Sequence, residues 1–395
     1  MTALQEVFVV SAVRTAIGTY GGSLKETPLN ELATLVVKEA LARAAVPADR
    51  VGHVVLGNVI PTEPRDAYLS RVAALSAGLP VSTPAFNVNR LCGSGVQAIV
   101  SAAQSVALGN CDIAVAGGAE SMSRGPYLMQ AARWGARMGD TQLLDYMAGV
   151  LHDPVHKIHM GITAENVADQ FDVSRLDMDT LAAESHRRAT AATENGYFRS
   201  QIVPVPIVRS RQASTFDIDE HVKGDTNVET LAKMKPAFRK DGSVTAGNSS
   251  GINDGAAALV LASAEAVKAH GLTPLARLVS YGHAGVEPTI MGIGSVPAAR
   301  QALQRAGLST SDLSTVEANE AFAAQACAVT RQLELDPAIV NPNGSGISLG
   351  HPIGATGAII STKAIHELHR IGGKYALVTM CIGGGQGIAA VFERV

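Results

Sequence analysis

The chain repeats one short arrangement of helix, loop and strand in its two halves. Residues 40–44 (Ala-Leu-Ala-Arg-Ala) resemble residues 302–306 (Ala-Leu-Gln-Arg-Ala), and each segment leads to an aspartate and then to an apolar run. The same spacing separates Leu41 from Val54 in the first half and Leu303 from Val316 in the second. Such internal similarity is typical of a duplicated domain. The repeat therefore predicts two similar domains, with loops from both meeting at a site between them.

Short apolar runs alternate with longer amphipathic stretches in both halves. Residues 53–57 and 375–381 have the composition of buried strands, whereas residues 32–45 and 95–108 carry apolar side chains at helical spacing. This alternation predicts an α/β fold with helices packed on both faces of the sheet.

Residues 122–251 interrupt the repeat and are predicted to form an inserted loop domain. We expect the first domain to comprise residues 1–121, completed by about 252–273, and the second to comprise residues 274–395. Within the insertion, residues 199–240 are rich in basic side chains, which favours either a solvated surface or a contact for substrate phosphates. These side chains are Arg199, Arg209, Arg211, Lys223, Lys233, Lys235, Arg239 and Lys240.

Composition excludes several classes of protein. With 47% hydrophobic and 17% charged residues among 395, the chain can form large cores, and a net charge of −3 gives no sign of nucleic-acid binding. No apolar run approaches the roughly 20 residues of a membrane helix. Four cysteines do not form a disulfide framework in so long a chain. Residues 6–14 are typical of a strand rather than a signal peptide. We therefore expect a cytoplasmic protein without nucleic-acid or membrane partners.

Cys92 lies in the sequence Asn-Arg-Leu-Cys-Gly-Ser-Gly-Val, residues 89–96, where a loop leads into a predicted helix. Glycines let the backbone turn sharply and approach a substrate closely. A cysteine at a helix N-terminus lies near the positive end of the helix dipole, which lowers its pKa below the free-thiol value of about 8.5. The pattern therefore predicts that Cys92 is a nucleophile with a lowered pKa.

A histidine and a second cysteine lie in glycine-rich loops of the second half. His351 belongs to Gly-His-Pro, residues 350–352, and a neutral imidazole there could accept the proton of Cys92. Cys381 follows an apolar run and precedes three glycines, residues 383–385, whose backbone N–H groups suit an oxyanion pocket. An activated thiol, a histidine and a second thiol together favour acyl-transfer chemistry.

Residues of these types also occur in other kinds of site. A buried cysteine is commonly a small hydrophobic side chain, which is what we expect of Cys111 and Cys327. The glycines of residues 344–350 do not follow the Gly-x-Gly-x-x-Gly pattern of dinucleotide sites. We predict no metal site, because three histidines lie in a polar loop without supporting cysteine or carboxylate spacing: His152, His156 and His159.

Four motifs taken together resemble the thiolases. They are Asn-Arg-Leu-Cys-Gly-Ser-Gly (89–95), Asn-Glu-Ala-Phe (319–322), Gly-His-Pro (350–352) and Cys-Ile-Gly-Gly-Gly (381–385). The likeness runs from the first strand to the last residue. It is strongest to the bacterial biosynthetic acetyl-CoA acetyltransferases and the related short-chain β-ketothiolases.

The resemblance implies a five-layered αβαβα fold with two duplicated domains, an inserted loop domain and a homotetrameric assembly. It implies that Cys92 is the acylated nucleophile and that His351 is the base that activates it. Cys381 would remove a proton from the methyl group of the second acetyl-CoA. Asn319 would hold a water that, with His351, stabilises the enolate oxygen. The N–H groups of Cys92 and Gly383 would form a second oxyanion hole.

A channel for coenzyme A is also implied by the resemblance. Lys223 would lie near the adenine and phosphates, where an arginine is usual in the family, and lysine keeps the charge without the planar guanidinium. The channel would be lined by Leu151, His159, Met160, Phe238, Ala246, Ser250, Ala321 and Phe322.

The implied reaction is the reversible Claisen condensation of acetyl-CoA with a short acyl-CoA, which yields 3-ketoacyl-CoA and CoA. It would follow a ping-pong mechanism through acyl-Cys92. Coenzyme A thioesters are substrates, and no cofactor is expected. Such enzymes serve fatty acid metabolism or polyhydroxyalkanoate biosynthesis. The alternatives are a degradative thiolase for longer chains, a non-catalytic acyl-CoA-binding relative, and a Cys–His thioester hydrolase, in which Cys381 would have no function.

Overall fold

The structure, a computed structural model, describes residues 5–209 and 212–395, so Arg211 of the basic segment lies outside the described residues. The strands are β1 (Val7–Thr15), β2 (Gly18–Thr19), β3 (His53–Gly57), β4 (Ala85–Val88), β5 (Ile113–Ser121), β6 (Tyr127–Leu128), β7 (Leu144–Asp145), β8 (Ile202–Val203), β9 (Val205–Arg209), β10 (Gln212–Phe216), β11 (Asn253–Ser263), β12 (Ala276–Gly285), β13 (Thr315–Ala318), β14 (Tyr375–Ile382) and β15 (Gln386–Arg394). The α-helices are α1 (Leu29–Arg43), α2 (Leu69–Ser76), α3 (Ser94–Ala107), α4 (Tyr146–Val150), α5 (Met160–Gln170), α6 (Arg175–Glu194), α7 (Val228–Ala232), α8 (Ala264–His270), α9 (Ser295–Ala306), α10 (Ala323–Gln332) and α11 (Ile353–Ile371).

The two halves of the main sheet have the same pattern of strands. Along the order β13-β14-β15-β12-β1-β11-β5-β3-β4, each half has parallel pairing at its outer end, namely β13–β14 in one half and β4–β3 and β3–β5 in the other, followed by antiparallel pairs toward the centre. Val54 lies in β3 and Val316 in β13, and these strands occupy equivalent positions in their halves. Within the sheet, the two halves meet at the pairs Phe8–Arg277 and Val9–Ala276 of β1 and β12. The predicted duplication of an α/β domain is confirmed.

Helices α3 and α11 form the central layer of the molecule and touch each other closely. A Cβ at Gly95 of α3 would lie 2.4 Å from the backbone nitrogen of Ala358, and one at Gly357 of α11 would lie 2.4 Å from that of Val96. Contact this close requires glycine on both helices. Because α3 begins just after Cys92 and α11 just after the Gly-His-Pro motif, their crossing brings the two reactive loops together.

Helix α11 is buried over most of its length, so its polar side chains need internal partners. The ammonium of Lys363 lies 2.7 Å from a carboxylate oxygen of Glu317 in β13 and donates a hydrogen bond of 2.6 Å to the carbonyl of Gly344. Both charged side chains are almost inaccessible to solvent. Removing one partner of such a pair leaves an uncompensated buried charge. The pair therefore ties α11 to β13 and to the loop that leads to His351.

Residues 122–251 contribute short strands, mostly outside the path of the main sheet. Strands β6 and β7 pair with each other, as do β9 and β10, while β8 joins the edge of β1. Helices α5 and α6 pack against α10 of the second half. We propose that the domain boundaries lie at residues 121, 251 and 273. None of the helices in the described part of the chain combines the length and apolarity needed to cross a membrane.

We predict that Gly95→Ala lowers the free energy of unfolding by about 1–3 kcal/mol, because its methyl group would push α3 away from α11. The matched control is Gly149→Ala in α4, where a Cβ would meet nothing within 4 Å. There the free energy of unfolding should stay unchanged or rise by up to about 1 kcal/mol. Denaturant unfolding followed by circular dichroism measures both, and equal losses would contradict the proposed importance of the crossing.

Candidate active site

Cys92 lies in a tight turn between β4 and α3. Leu91 has a φ of 45°, a left-handed conformation that a leucine rarely adopts. The side chain of Asn89 accepts a hydrogen bond of 2.9 Å from the backbone N–H of Leu91. The hydroxyl of Ser94 accepts one from the N–H of Arg90 and donates one to the carbonyl of Leu91. These bonds hold the turn that presents Cys92 at the entry to α3, as the glycine pattern predicted.

His351 is held in one orientation by hydrogen bonds on both sides. Its backbone N–H donates to Asn253, whose side chain occupies the space that a Cβ at Gly350 would need. Its Nδ1 lies 2.7 Å from the hydroxyl of Thr356, which itself donates to the carbonyl of Pro352. The hydroxyl has a single proton, so it accepts from Nδ1–H. Nε2 is therefore unprotonated, and it is buried without a partner among the described residues. Burial lowers the pKa of His351 to about 4, which keeps the ring neutral.

Cys381 is the second-last residue of β14 and is buried. The chain returns into β15 through Gly384 and Gly385, both with positive φ. Burial raises the pKa of the Cys381 thiol, and the neighbouring Cys92 raises it further. Both cysteines line the same cavity.

The expectation that Cys92 has a lowered pKa was wrong. Burial raises the pKa of its thiol to about 11, although the backbone N–H groups of Gly383 and of Cys92 itself oppose this shift. Loss of hydration penalises the thiolate more than the nearby N–H dipoles stabilise it. The resting thiol is therefore protonated and needs a base. The N–H groups of Cys92 and Gly383 form a pair of donors that could also hold an oxyanion.

Thirteen of the fourteen site residues expected from the sequence line one cavity of about 450 Å³. They are Cys92, Leu151, His159, Met160, Lys223, Phe238, Ala246, Ser250, Ala321, Phe322, His351, Cys381 and Gly383. Ten further residues line the cavity and were not predicted from the sequence. They come from segments far apart in the chain: Leu91, Met122, Val150, His221, Ala237, Ser249, Gly251, Ile252, Met291 and Ile353.

Asn319 is the expected site residue that does not line this cavity. It follows β13, and its backbone N–H donates to the carbonyl of Thr379. Its side-chain oxygen and nitrogen are both buried without a partner among the described residues. A Cβ at Gly346 would lie 2.9 Å from the oxygen, so glycine is needed to leave this amide its space. Unpaired buried polar atoms of this kind are suited to hold a water.

Comparison with known proteins shows the family of the chain. Residues 7–265 match the model of the thiolase N-terminal domain, and residues 272–394 match that of the thiolase C-terminal domain. The chain belongs to the thiolase family. It is 66% identical to β-ketothiolase BktB of Cupriavidus necator over 99% of this chain and all of that protein. It is 49% identical to an acetyl-CoA acetyltransferase of Pseudomonas aeruginosa, over 99% of this chain and all of the relative.

Solved structures confirm the predicted thiolase fold. An acetyl-CoA acetyltransferase from Bacillus anthracis superposes with a TM-score of 0.98 at 48% identity, with all of both chains covered. Human mitochondrial 3-ketoacyl-CoA thiolase in complex with CoA superposes with a TM-score of 0.96 at 44% identity, covering 100% of this chain and 99% of that one.

Glu120 of this thiolase is a buried acidic residue outside the cavity wall, and the sequence did not reveal its function. Its carboxyl group accepts hydrogen bonds of 2.7–3.1 Å from the side chain of Asn58 and the backbone N–H groups of Val59, Ile60 and Gly354. Burial raises its pKa to about 8, while the backbone donors act to lower it. Since Gly354 is in the first turn of α11, this carboxyl group anchors the helix that positions His351.

The histidine loop of the thiolase forms part of the cavity wall. The ring of His159 stacks on Phe238 with centroids 4.8 Å apart and meets His152 edge-on at 5.0 Å. Burial lowers the pKa of His159, with a smaller effect from His152. His156 instead lies 3.2 Å from the carboxylate of Glu287. Within residues 5–209 and 212–395, no three His, Cys, Asp or Glu side chains gather as a metal site would require.

Most of the basic segment lies away from the thiolase cavity. Of the basic residues between positions 199 and 240 that the structure describes, Lys223 alone lines the cavity, at its exposed rim. Arg239 pairs with Asp169 at 2.7 Å. The solvated-surface interpretation therefore holds for most of the segment, and Lys223 is the candidate for a phosphate contact.

We predict that alkylation of Cys92 by iodoacetamide accelerates continuously from pH 7 to pH 10. A thiol with a pKa raised to about 11 gains thiolate throughout this range, and only the thiolate reacts. Mass spectrometry of the modified peptide measures the rate, with Cys92→Ser as the blank. A rate that levels off below pH 8.5 would instead support a thiolate stabilised by the helix dipole.

Proposed function

We propose that this thiolase catalyses the reversible Claisen condensation of acetyl-CoA with a short acyl-CoA, releasing CoA and a 3-ketoacyl-CoA. The observation that carries the proposal is the convergence of two protonated thiols and one neutral imidazole on a single cavity. Formation of a carbon–carbon bond between two thioesters needs an acyl carrier and a separate base for the weakly acidic α-carbon. Cys92 and Cys381 supply these two functions.

In the first half-reaction, Nε2 of His351 accepts the proton of Cys92, and the thiolate attacks the thioester carbonyl. The backbone N–H groups of Cys92 and Gly383 stabilise the developing oxyanion. The carbon–sulfur bond to CoA then breaks, and Cys381 protonates the departing sulfur. Acyl-Cys92, an imidazolium and a Cys381 thiolate remain, so the site stays neutral overall.

In the second half-reaction, Cys381 removes a proton from the methyl group of a second acetyl-CoA. Its raised pKa makes its thiolate a strong base, as removal of a carbon-bound proton requires. His351 and a water held by Asn319 stabilise the enolate oxygen. The enolate carbon attacks the acyl carbonyl, the bond to Cys92 breaks, and Cys92 regains its proton from His351.

The cavity is suited to a long thioester with one charged end. Apolar and aromatic side chains line its interior, and the ammonium of Lys223 lies at the rim, where it would meet the phosphates of CoA. The remaining contacts would come from Leu151, His159, Met160, Phe238, Ala246, Ser250, Ala321 and Phe322. The reaction consists of proton and acyl transfers, so we propose that the enzyme uses no cofactor and no metal.

We also propose that the enzyme acts as a homotetramer in the cytoplasm. The support is a cluster of exposed hydrophobic side chains in the inserted segment, which a second copy of the chain could cover. These side chains are Tyr127, Leu128, Met129, Trp134, Met138, Leu143 and Leu144.

We predict that Cys92→Ser abolishes formation of the acyl-enzyme, because the acyl carrier is lost. Cys381→Ser should still acquire label from radioactive acetyl-CoA but lose condensation by at least about 100-fold, the usual effect of removing a positioned acid–base group. Labelling of the protein and formation of acetoacetyl-CoA separate the two steps. A Cys381→Ser enzyme with normal condensation would show that another group is the base.

The alternative is a degradative thiolase for longer chains, since mitochondrial 3-ketoacyl-CoA thiolases are 44–45% identical to this chain. The identity is higher to β-ketothiolase BktB, at 66%, and to an acetyl-CoA acetyltransferase, at 49%, and the latter favours the short-chain type.

We predict that kcat/KM for thiolysis is highest for four- to six-carbon 3-ketoacyl-CoA and falls by eight carbons. A profile that stays flat or rises across four, six and eight carbons would favour the degradative type.

A further inference from the structure

The two reactive sulfurs lie against different hydrophobic clusters. Cys92 packs on the main core and also on a smaller cluster that we call the methionine wall, which consists of Val59, Ile60, Met122, Met147 and Ile353. Cys381 belongs to a separate cluster that includes Met160, Met291, Ala321 and Phe322. The methionine wall therefore lies against the sulfur that carries the acyl group, and the second cluster contains the sulfur that acts as base.

The cavity around Cys92 has several apolar boundaries. Near Gly383 lie the side chains of Met160 and Leu91, since a Cβ on that glycine would be 3.3 Å from Cε of Met160 and 3.4 Å from Cδ1 of Leu91. The rim at Lys223 is the proposed entrance of CoA. The methionine wall packs against Cys92 itself, and its members Met122 and Ile353 line the cavity.

The methionine wall is built from side chains and backbone that can rearrange. Methionine is unbranched and adapts its shape to its neighbours. Met122 lies in the short 3₁₀-helix Met122–Arg124 and Met147 in the short helix α4. Between them the chain forms the two-stranded ribbon β6–β7, whose residues are mostly exposed. A segment with few buried contacts opens at low cost.

We propose that Met122 and Met147 determine which acyl chain lengths the enzyme accepts, because the chain carried by Cys92 extends along the methionine wall and displaces these two side chains. The inference rests on the proposed function and adds a specificity determinant to it. Met122 contacts the acyl chain directly. Met147 supports it from behind and packs on Gly125, where a Cβ would lie 2.6 Å from that of Met147.

The test measures kcat/KM for thiolysis of four-, six- and eight-carbon 3-ketoacyl-CoA. Met122→Ala should raise the ratio of the six- to the four-carbon substrate by about tenfold, since one or two methylenes in an apolar pocket change the rate by about this factor. Met147→Ala should raise it less, and Met122→Phe should lower it. Because Met122→Phe keeps the site filled, it tests the proposal even if the alanine variants fold poorly.

The matched control is Met178→Ala in α6. Met178 is a fully buried methionine that does not line the cavity, so its loss should lower stability and leave the ratio unchanged. Unchanged ratios in the Met122 variants, or an equal change in Met178→Ala, would overturn the inference. Absence of acetoacetyl-CoA thiolysis in the unaltered enzyme would instead overturn the proposed function, so the two failures are distinguishable.

The mass of the acyl-enzyme gives a second readout that does not depend on turnover. The enzyme is incubated with acetyl-, butyryl- or hexanoyl-CoA, and the mass added to Cys92 is recorded. Met122→Ala should acquire the hexanoyl group faster than the unaltered enzyme, with acetyl transfer changed less than twofold. Equal acceleration for all three acyl groups would contradict a function in chain-length selection.

Discussion

The close crossing of α3 and α11 is the contact on which the arrangement of the active site depends. Each helix begins just after a reactive loop, so the distance between the helices sets the distance between Cys92 and His351. Gly95 and Gly357 permit backbone-to-backbone contact at the crossing. The duplicated domains supply one helix each, and the site therefore lies at the centre of the molecule rather than within either half.

This central position controls the chemistry through burial. Removal of water raises the pKa values of Cys92 and Cys381 and lowers that of His351, so all three groups are neutral at rest. Burial makes the formation of charge costly, so the two thiols and the imidazole stay neutral until the reaction begins. Charge appears only as the reaction proceeds, next to backbone N–H groups that are already oriented. Buried polar contacts hold the reactive loops and helices in place. One of them is the contact of the Glu120 carboxyl group with the start of α11.

Much of the fold and the site could be predicted because the signals were local. The spacing from Leu41 to Val54 and from Leu303 to Val316 predicted the duplicated domain, and the motifs around Cys92, His351 and Cys381 predicted the site. Met122, His221 and Ile252 were not placed on the cavity wall, because they come from separate loops without a periodic pattern. The pKa of Cys92 was predicted in the wrong direction, since the helix dipole is visible in the sequence and burial is not.

The sequence by itself determined the reactive groups, the turns that present them and the family to which the chain belongs. Glycines and capping side chains act on their near neighbours, and strand–helix alternation is a local pattern. Short stretches of sequence are therefore enough to reveal them. Only the tertiary structure decided the protonation states of Cys92, Cys381 and His351, the separation of the hydrophobic clusters beside the two cysteines, and the anchoring of α11 by Glu120. These properties depend on how many atoms exclude water from a group and which of them touch it, and those atoms come from the whole chain.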